Sequence, residues 1–174
     1  MSTMEKGKPT VSSDTRWLSE HEQEVWRALR ELLWGFESAM DRQLIRDSEL
    51  SAVEYSVLAA LSEADDGVLR ARDLARQLDW ERSRLSHLLK RMETKGLVTR
   101  AECPSDLRGY NIMMTKAGRD AIVQAAPGHV SFVRENVFDP LTDEEREALL
   151  SAATKIQASI RDAGLWQNPG GQKG

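Results

Sequence analysis

Residues 72–100 read RDLARQLDWERSRLSHLLKRMETKGLVTR, and the spacing of the apolar residues in this stretch decides the fold. Leu74, Ala75 and Leu78 share one face of a short helix over 72–78, and Asp79-Trp80 breaks it. A longer helix follows from about Glu81 to Lys95, with Leu85, Leu88, Leu89 and Met92 turned inward and Gly96 as its stop. Two helices therefore meet at a tight turn, with Trp80 expected to staple the second helix to the body. The outward face of that helix carries Arg82, Ser83, Arg84, Ser86, His87, Lys90 and Arg91, and Glu93 is the one acid between Arg82 and Arg100. An α-helix fits the major groove of duplex DNA, where such side chains reach base edges and phosphates.

Beyond Gly96 the period changes from helical to alternating. Residues 97–101 and 110–114 flank Cys103-Pro104-Ser105-Asp106-Leu107-Arg108-Gly109, whose Pro, Asp and Gly are turn formers. This predicts a β-hairpin with a charged tip, in which Arg100 and Arg108 are further candidates for DNA contact. Thr115 caps a helix through Ala126, Pro127-Gly128 is expected to interrupt it, 130–138 continues, and an amphipathic helix spans about 142–163. Upstream, Ser19 with Glu22 and Ser51 with Glu54 are capping-box signals for a long helix over about 20–46 and a second one ended by Asp65-Asp66-Gly67. Val68-Leu69 fits a very short strand. The fold class is mainly α with a small β-hairpin wing, a winged helix-turn-helix.

The chain has 174 residues and a formal net charge of −4. That charge is unevenly spread: residues 68–120 hold twelve Lys/Arg against seven Asp/Glu, or +5, which leaves −9 elsewhere. An acidic body would keep the basic segment turned toward DNA. No apolar run approaches the ~20 residues of a bilayer span, and the first fifteen residues lack the apolar stretch of a secretory signal. A cytoplasmic protein is expected. The single cysteine, Cys103, excludes an internal disulfide framework, and His21, His87 and His129 have no metal-ligand spacing, so neither metal nor cofactor is expected. There is no Gly-rich phosphate loop and no nucleophile elbow, which argues against an enzyme.

Several blocks together resemble the multiple-antibiotic-resistance regulator (MarR) family of bacterial transcription factors. They are Leu78 to His87, Arg91-Met92-Glu93, Lys95-Gly96-Leu97-Val98, Asp106-Leu107-Arg108-Gly109 and Met114-Thr115-Lys116-Ala117-Gly118. The blocks lie in register, and the flanking helices match in order across most of Trp17 to Asp162. The resemblance implies a homodimer, held by the N-terminal helix and the last two helices, that sets two recognition helices on a pseudo-palindromic operator. Trp26, Leu29, Leu33, Phe36 and Met40 agree in part, since they put more apolar surface on the first helix than a monomer of this size readily covers. The expected organisation is a disordered tail over 1–15, a dimerisation helix over 16–46, the DNA-binding domain over 47–120, dimerisation helices over 121–162 and a second tail over 163–174. The wing departs from the family pattern, with Leu107 where relatives often carry an arginine, so Arg108 stands between contacting DNA and pairing with Asp106.

The resemblance also implies a repressor released by a small aromatic or apolar ligand. Trp34, Phe36 and Tyr55 are the aromatic residues that would line such a cleft, with plain packing as the alternative reading. Two other functions stay open: a constitutive architectural DNA-binding protein, and an oxidant sensor through Cys103, whose thiol sits near Arg100 and Arg108 in sequence.

Overall fold

The computed structural model describes residues 15–103 and 106–166, with residues 65, 102, 103 and 106–108 described by backbone alone. The helices are α1 (Glu20–Ser48), α2 (Ala52–Glu63), α3 (Ala71–Gln77), α4 (Arg82–Thr94), α5 (Lys116–Val133) and α6 (Asp143–Asp162). The strands are β1 (Val68–Arg70), β2 (Val98–Cys103) and β3 (Asp106–Met114). A 3₁₀ turn over Asp65–Gly67 leads into β1, and a π turn over Arg134–Phe138 extends α5.

Two compact units divide within α1, after Phe36. In the first, Ser19 and Glu22 close the expected capping box: the Ser19 N–H donates to Glu22 Oε2 at 2.8 Å and the Glu22 N–H to Ser19 Oγ at 3.2 Å. Trp17, Trp26, Leu33 and Trp34 of this unit are all exposed.

The second unit holds the core. Leu44, Val57, Leu58, Leu61, Leu74, Leu85, Leu89, Met92, Val98 and Ile112 are its largest fully buried side chains, each contributing about 1.5–3 kcal/mol by burial. They come from most of the elements between α1 and β3, so the short helices α3 and α4 are fixed by packing rather than by their own propensity. The sheet is antiparallel in the order β1-β3-β2, with Val68 opposite Met113 and Val98 opposite Met114. The strands reach further into the expected loop than their alternation suggested, with Cys103 paired with Asp106 and a register shift between Glu102 and Cys103 that leaves 107–109 without a partner across the ladder. Pro104 and Ser105 lie outside the described residues.

The helix-turn-helix corner is built by backbone geometry. At the end of α3 the Trp80 N–H reaches the Ala75 carbonyl at 2.9 Å and the Asp79 N–H the Arg76 carbonyl at 3.2 Å, with Asp79 at φ +52°. This is a Schellman cap in which an aspartate takes the left-handed position, a conformation that Asp tolerates better than most residues. The same cap ends α4, with Gly96 at φ +72° and Leu97 N–H on the Met92 carbonyl at 2.9 Å. Trp80 packs against the core, as a staple should.

Pro127 does not interrupt its helix: α5 runs through it. The proline forfeits the bond to the Val123 carbonyl, but Val123 is 67% exposed, so water has access to that turn. Gly128 belongs there for a different reason, because a Cβ would meet Gln43 Nε2 at 3.1 Å and Asp47 Oδ2 at 3.4 Å. The closing helix α6 has a full capping box at Thr142 and Glu145, yet it buries none of its residues, and Leu150 is 62% exposed. Among the described residues no helix is long and apolar enough to cross a membrane.

Candidate nucleic-acid interface

The helix α4 separates its two faces cleanly. Leu85, Leu88, Leu89 and Met92 are buried, while Arg82, Ser83, Arg84, His87, Lys90 and Arg91 are exposed and Ser86 is half-buried. The side chains of Arg84, His87, Lys90 and Arg91 line one groove with Leu88 and with Val53 of α2. Arg82, Lys90 and Arg91 make no ion pair among the described residues, so their charges are available to an external anion. Arg84 lies 5.1 Å over the Trp80 ring, a stack that orients the guanidinium without neutralising it.

Arg100 is arranged differently. Its Nε lies 3.3 Å from Glu93 Oε2, its Nη2 donates to the Ser86 carbonyl at 3.3 Å, and its guanidinium covers the Tyr110 ring at 5.1 Å. These contacts join β2 and β3 to α4, and they engage Glu93, the one acid within α4, just before its last residue. The side chains of Arg108, Asp106 and Cys103 lie outside the described residues, so the wing-tip expectations rest on sequence.

Two features beside α4 were not anticipated. Arg72, Asp73, Arg76, Asp79, Glu81 and Arg82 line a polar groove at its N-terminal end, with Asp73 2.9 Å from Arg76 and 3.8 Å from Arg72. At the other end, Lys95 Nζ lies 2.8 Å from Oε1 of Glu54, which is only 4% exposed. The capping-box signal at Ser51 and Glu54 was legible, but a partner 41 positions away leaves no local pattern.

The aromatic candidates separate. Tyr55 lines an open groove with Met40, Ala59, Leu78 and His129, and its ring centroid is 4.6 Å from that of His129. Burial pushes the Tyr55 phenol up and the His129 imidazole down from their ordinary values, which disfavours the charged form of each. Trp34 is 65% exposed beneath the Arg30 guanidinium, and Phe36 is half-buried; neither lines that groove. His21 is exposed, 3.8 Å from Glu24. No group of three His, Cys, Asp or Glu is placed to hold a metal among the described residues.

A family model described as "MarR family" matches residues 48–109. Among solved structures, Sco3205 of Streptomyces coelicolor, a MarR family transcriptional regulator in complex with DNA, is 39% identical with a TM-score of 0.81, covering 86% of this chain and 93% of that one. AbsC of the same organism, also a MarR family transcriptional regulator, is 34% identical with a TM-score of 0.80 over 85% of this chain and 99% of that one. The HTH-type transcriptional repressor YetL of Bacillus subtilis is 29% identical over 56% of this chain and 58% of its own length.

Proposed function

The chain belongs to the MarR family, and from that premise we propose that it is a homodimeric, sequence-specific DNA-binding regulator that uses α4 as its recognition helix. The observation that carries the reading is the exposed, unneutralised set Arg82, Arg84, His87, Lys90 and Arg91 over a fully buried leucine face. Arg84 and His87 face base edges, and Lys90 and Arg91 neutralise phosphates. Arg100 braces the wing against α4 in place of reading DNA itself. Double-stranded DNA with a pseudo-palindromic operator is the partner, and the apolar surfaces of α1 and α6 hold the second copy.

The deciding experiment is a mobility-shift titration of Arg84→Ala/His87→Ala against a duplex that the wild-type protein selects from a random library. Each truncation is expected to cost about 1–3 kcal/mol at that duplex, and unchanged affinity in the double variant contradicts the assignment.

Repression relieved by a small apolar ligand is the second part of the proposal, and the Tyr55–His129 groove supports it. Met40, Ala59, Leu78 and the Tyr55 and His129 rings form much of its wall, with Ser56, Glu63 and Gln77 as polar groups among them, so it suits an aromatic or otherwise largely apolar molecule. A thermal-shift screen of phenolic compounds, followed by operator titration, tests this. Compounds that stabilise the protein without weakening DNA binding would disprove the switch.

A further inference from the structure

The C-terminal end of α4 is held by a buried carboxylate. Glu54 Oε1 faces the Lys95 ammonium at 2.8 Å, while Oε2 accepts from the Ser51 N–H and the Ser51 hydroxyl, both at 3.0 Å. One residue into the same turn, the Ala52 N–H donates to Asp41 Oδ1 of α1 at 2.7 Å. The start of α2 is thus tied both to the second half of α1 and to the cap of α4. A third contact closes the same end: Thr115 Oγ1 donates to the Gly96 carbonyl at 2.6 Å, and Gly118 of α5 packs so closely that a Cβ would lie 2.1 Å from the Leu97 carbonyl oxygen. At the N-terminal end of α4 Glu81 makes no side-chain cap, and Trp80 packs against the core instead.

We infer that Glu54 and Lys95 are positioning residues: the ion pair between the buried carboxylate and the half-exposed ammonium sets the angle of α4 relative to the second half of α1 and thereby the separation of the two recognition helices in the proposed dimer. The inference rests on reading α4 as the DNA-contacting helix. A carboxylate out of water is costly unless paired, so the buried Glu54 draws the Lys95 ammonium to it although the lysine side chain is half exposed, and the end of the helix that carries the lysine is tied to α2. Lys95 follows the last turn of α4, beyond the groove-lining set, and its charge is already committed to Glu54.

The test uses the full chain. Lys95→Met keeps the aliphatic stem and removes the charge, and Lys95→Arg restores a cation. On the selected duplex and on the same duplex with one base pair inserted between its half-sites, Lys95→Met is expected to lower the discrimination between the two by about fivefold or more. The salt dependence stays that of the wild type, and Lys95→Arg recovers the discrimination. Unchanged discrimination overturns the inference, and a fall of about one in the salt slope overturns it by making Lys95 a phosphate contact. Hydrogen exchange without DNA separates this from failure of the DNA-binding reading. Amides 92–97 exchange faster in Lys95→Met and at the wild-type rate in Lys95→Arg, and equal rates in all three proteins refute the pair's role even if no duplex is selected.

Discussion

At residue scale, the charges of α4 and of its neighbour α2 sit in different surroundings. Lys90 and Arg91 are exposed and unpaired by acids among the described residues, so Lys90→Ala is expected to lower the slope of log affinity on log salt by about one, measured by titration across a salt series. Glu54 is the opposite case. Burial pushes its carboxyl up, but the Lys95 ammonium and the Ser51 N–H and hydroxyl outweigh burial and hold it below the ordinary 4.5. A carboxyl lowered on folding contributes stability that is fully present above its unfolded value and is lost as pH falls through its folded value. The gap in urea midpoint between wild type and Glu54→Gln should therefore be constant above 4.5 and close only below it. Gly118 shows a third kind of constraint. Because an added methyl carbon would stand 2.1 Å from the Leu97 carbonyl oxygen, Gly118→Ala should destabilise the fold by about 3 kcal/mol, the upper end of overpacking costs, as read from denaturant unfolding.

At the scale of elements, the parts with a strong period were legible in the sequence. The leucines of α4, the Ser19, Ser51 and Thr115 caps and the alternating hairpin each announce themselves within a few residues. What stayed hidden depends on neighbours distant in sequence. Pro127 looks like a break until the exposure of Val123 shows that its turn faces water, and Gly128 looks like punctuation until Gln43 is found against it. Arg100 carries a charge that suggests DNA contact, and its contacts with Glu93, Ser86 and Tyr110, 7, 14 and 10 positions away, leave no local pattern. Arg100→Gln is expected to weaken DNA binding through a looser wing while leaving the salt slope at the wild-type value, unlike Lys90→Ala. A slope lowered by about one would return Arg100 to the phosphate contacts.

At the scale of the whole molecule, the exposed apolar residues argue for a second copy. Trp26 and Leu33 on the first half of α1, and Leu150 and Ile156 on α6, are all about half exposed or more in one chain, and apolar surface of that kind marks an association face. A chain truncated before Leu141 should lose cooperative DNA binding, and the full chain should sediment as a dimer at micromolar concentration. In the proposed dimer, two-fold symmetry in the protein calls for an inverted repeat in the duplex. Footprinting at nucleotide resolution on the selected duplex tests this most directly. The expected result is protection of one inverted repeat with half-site centres about 10 base pairs apart, lost in Arg84→Ala/His87→Ala. Protection that spreads along the duplex with rising protein concentration, without a repeat, would contradict it and make the chain an architectural binder.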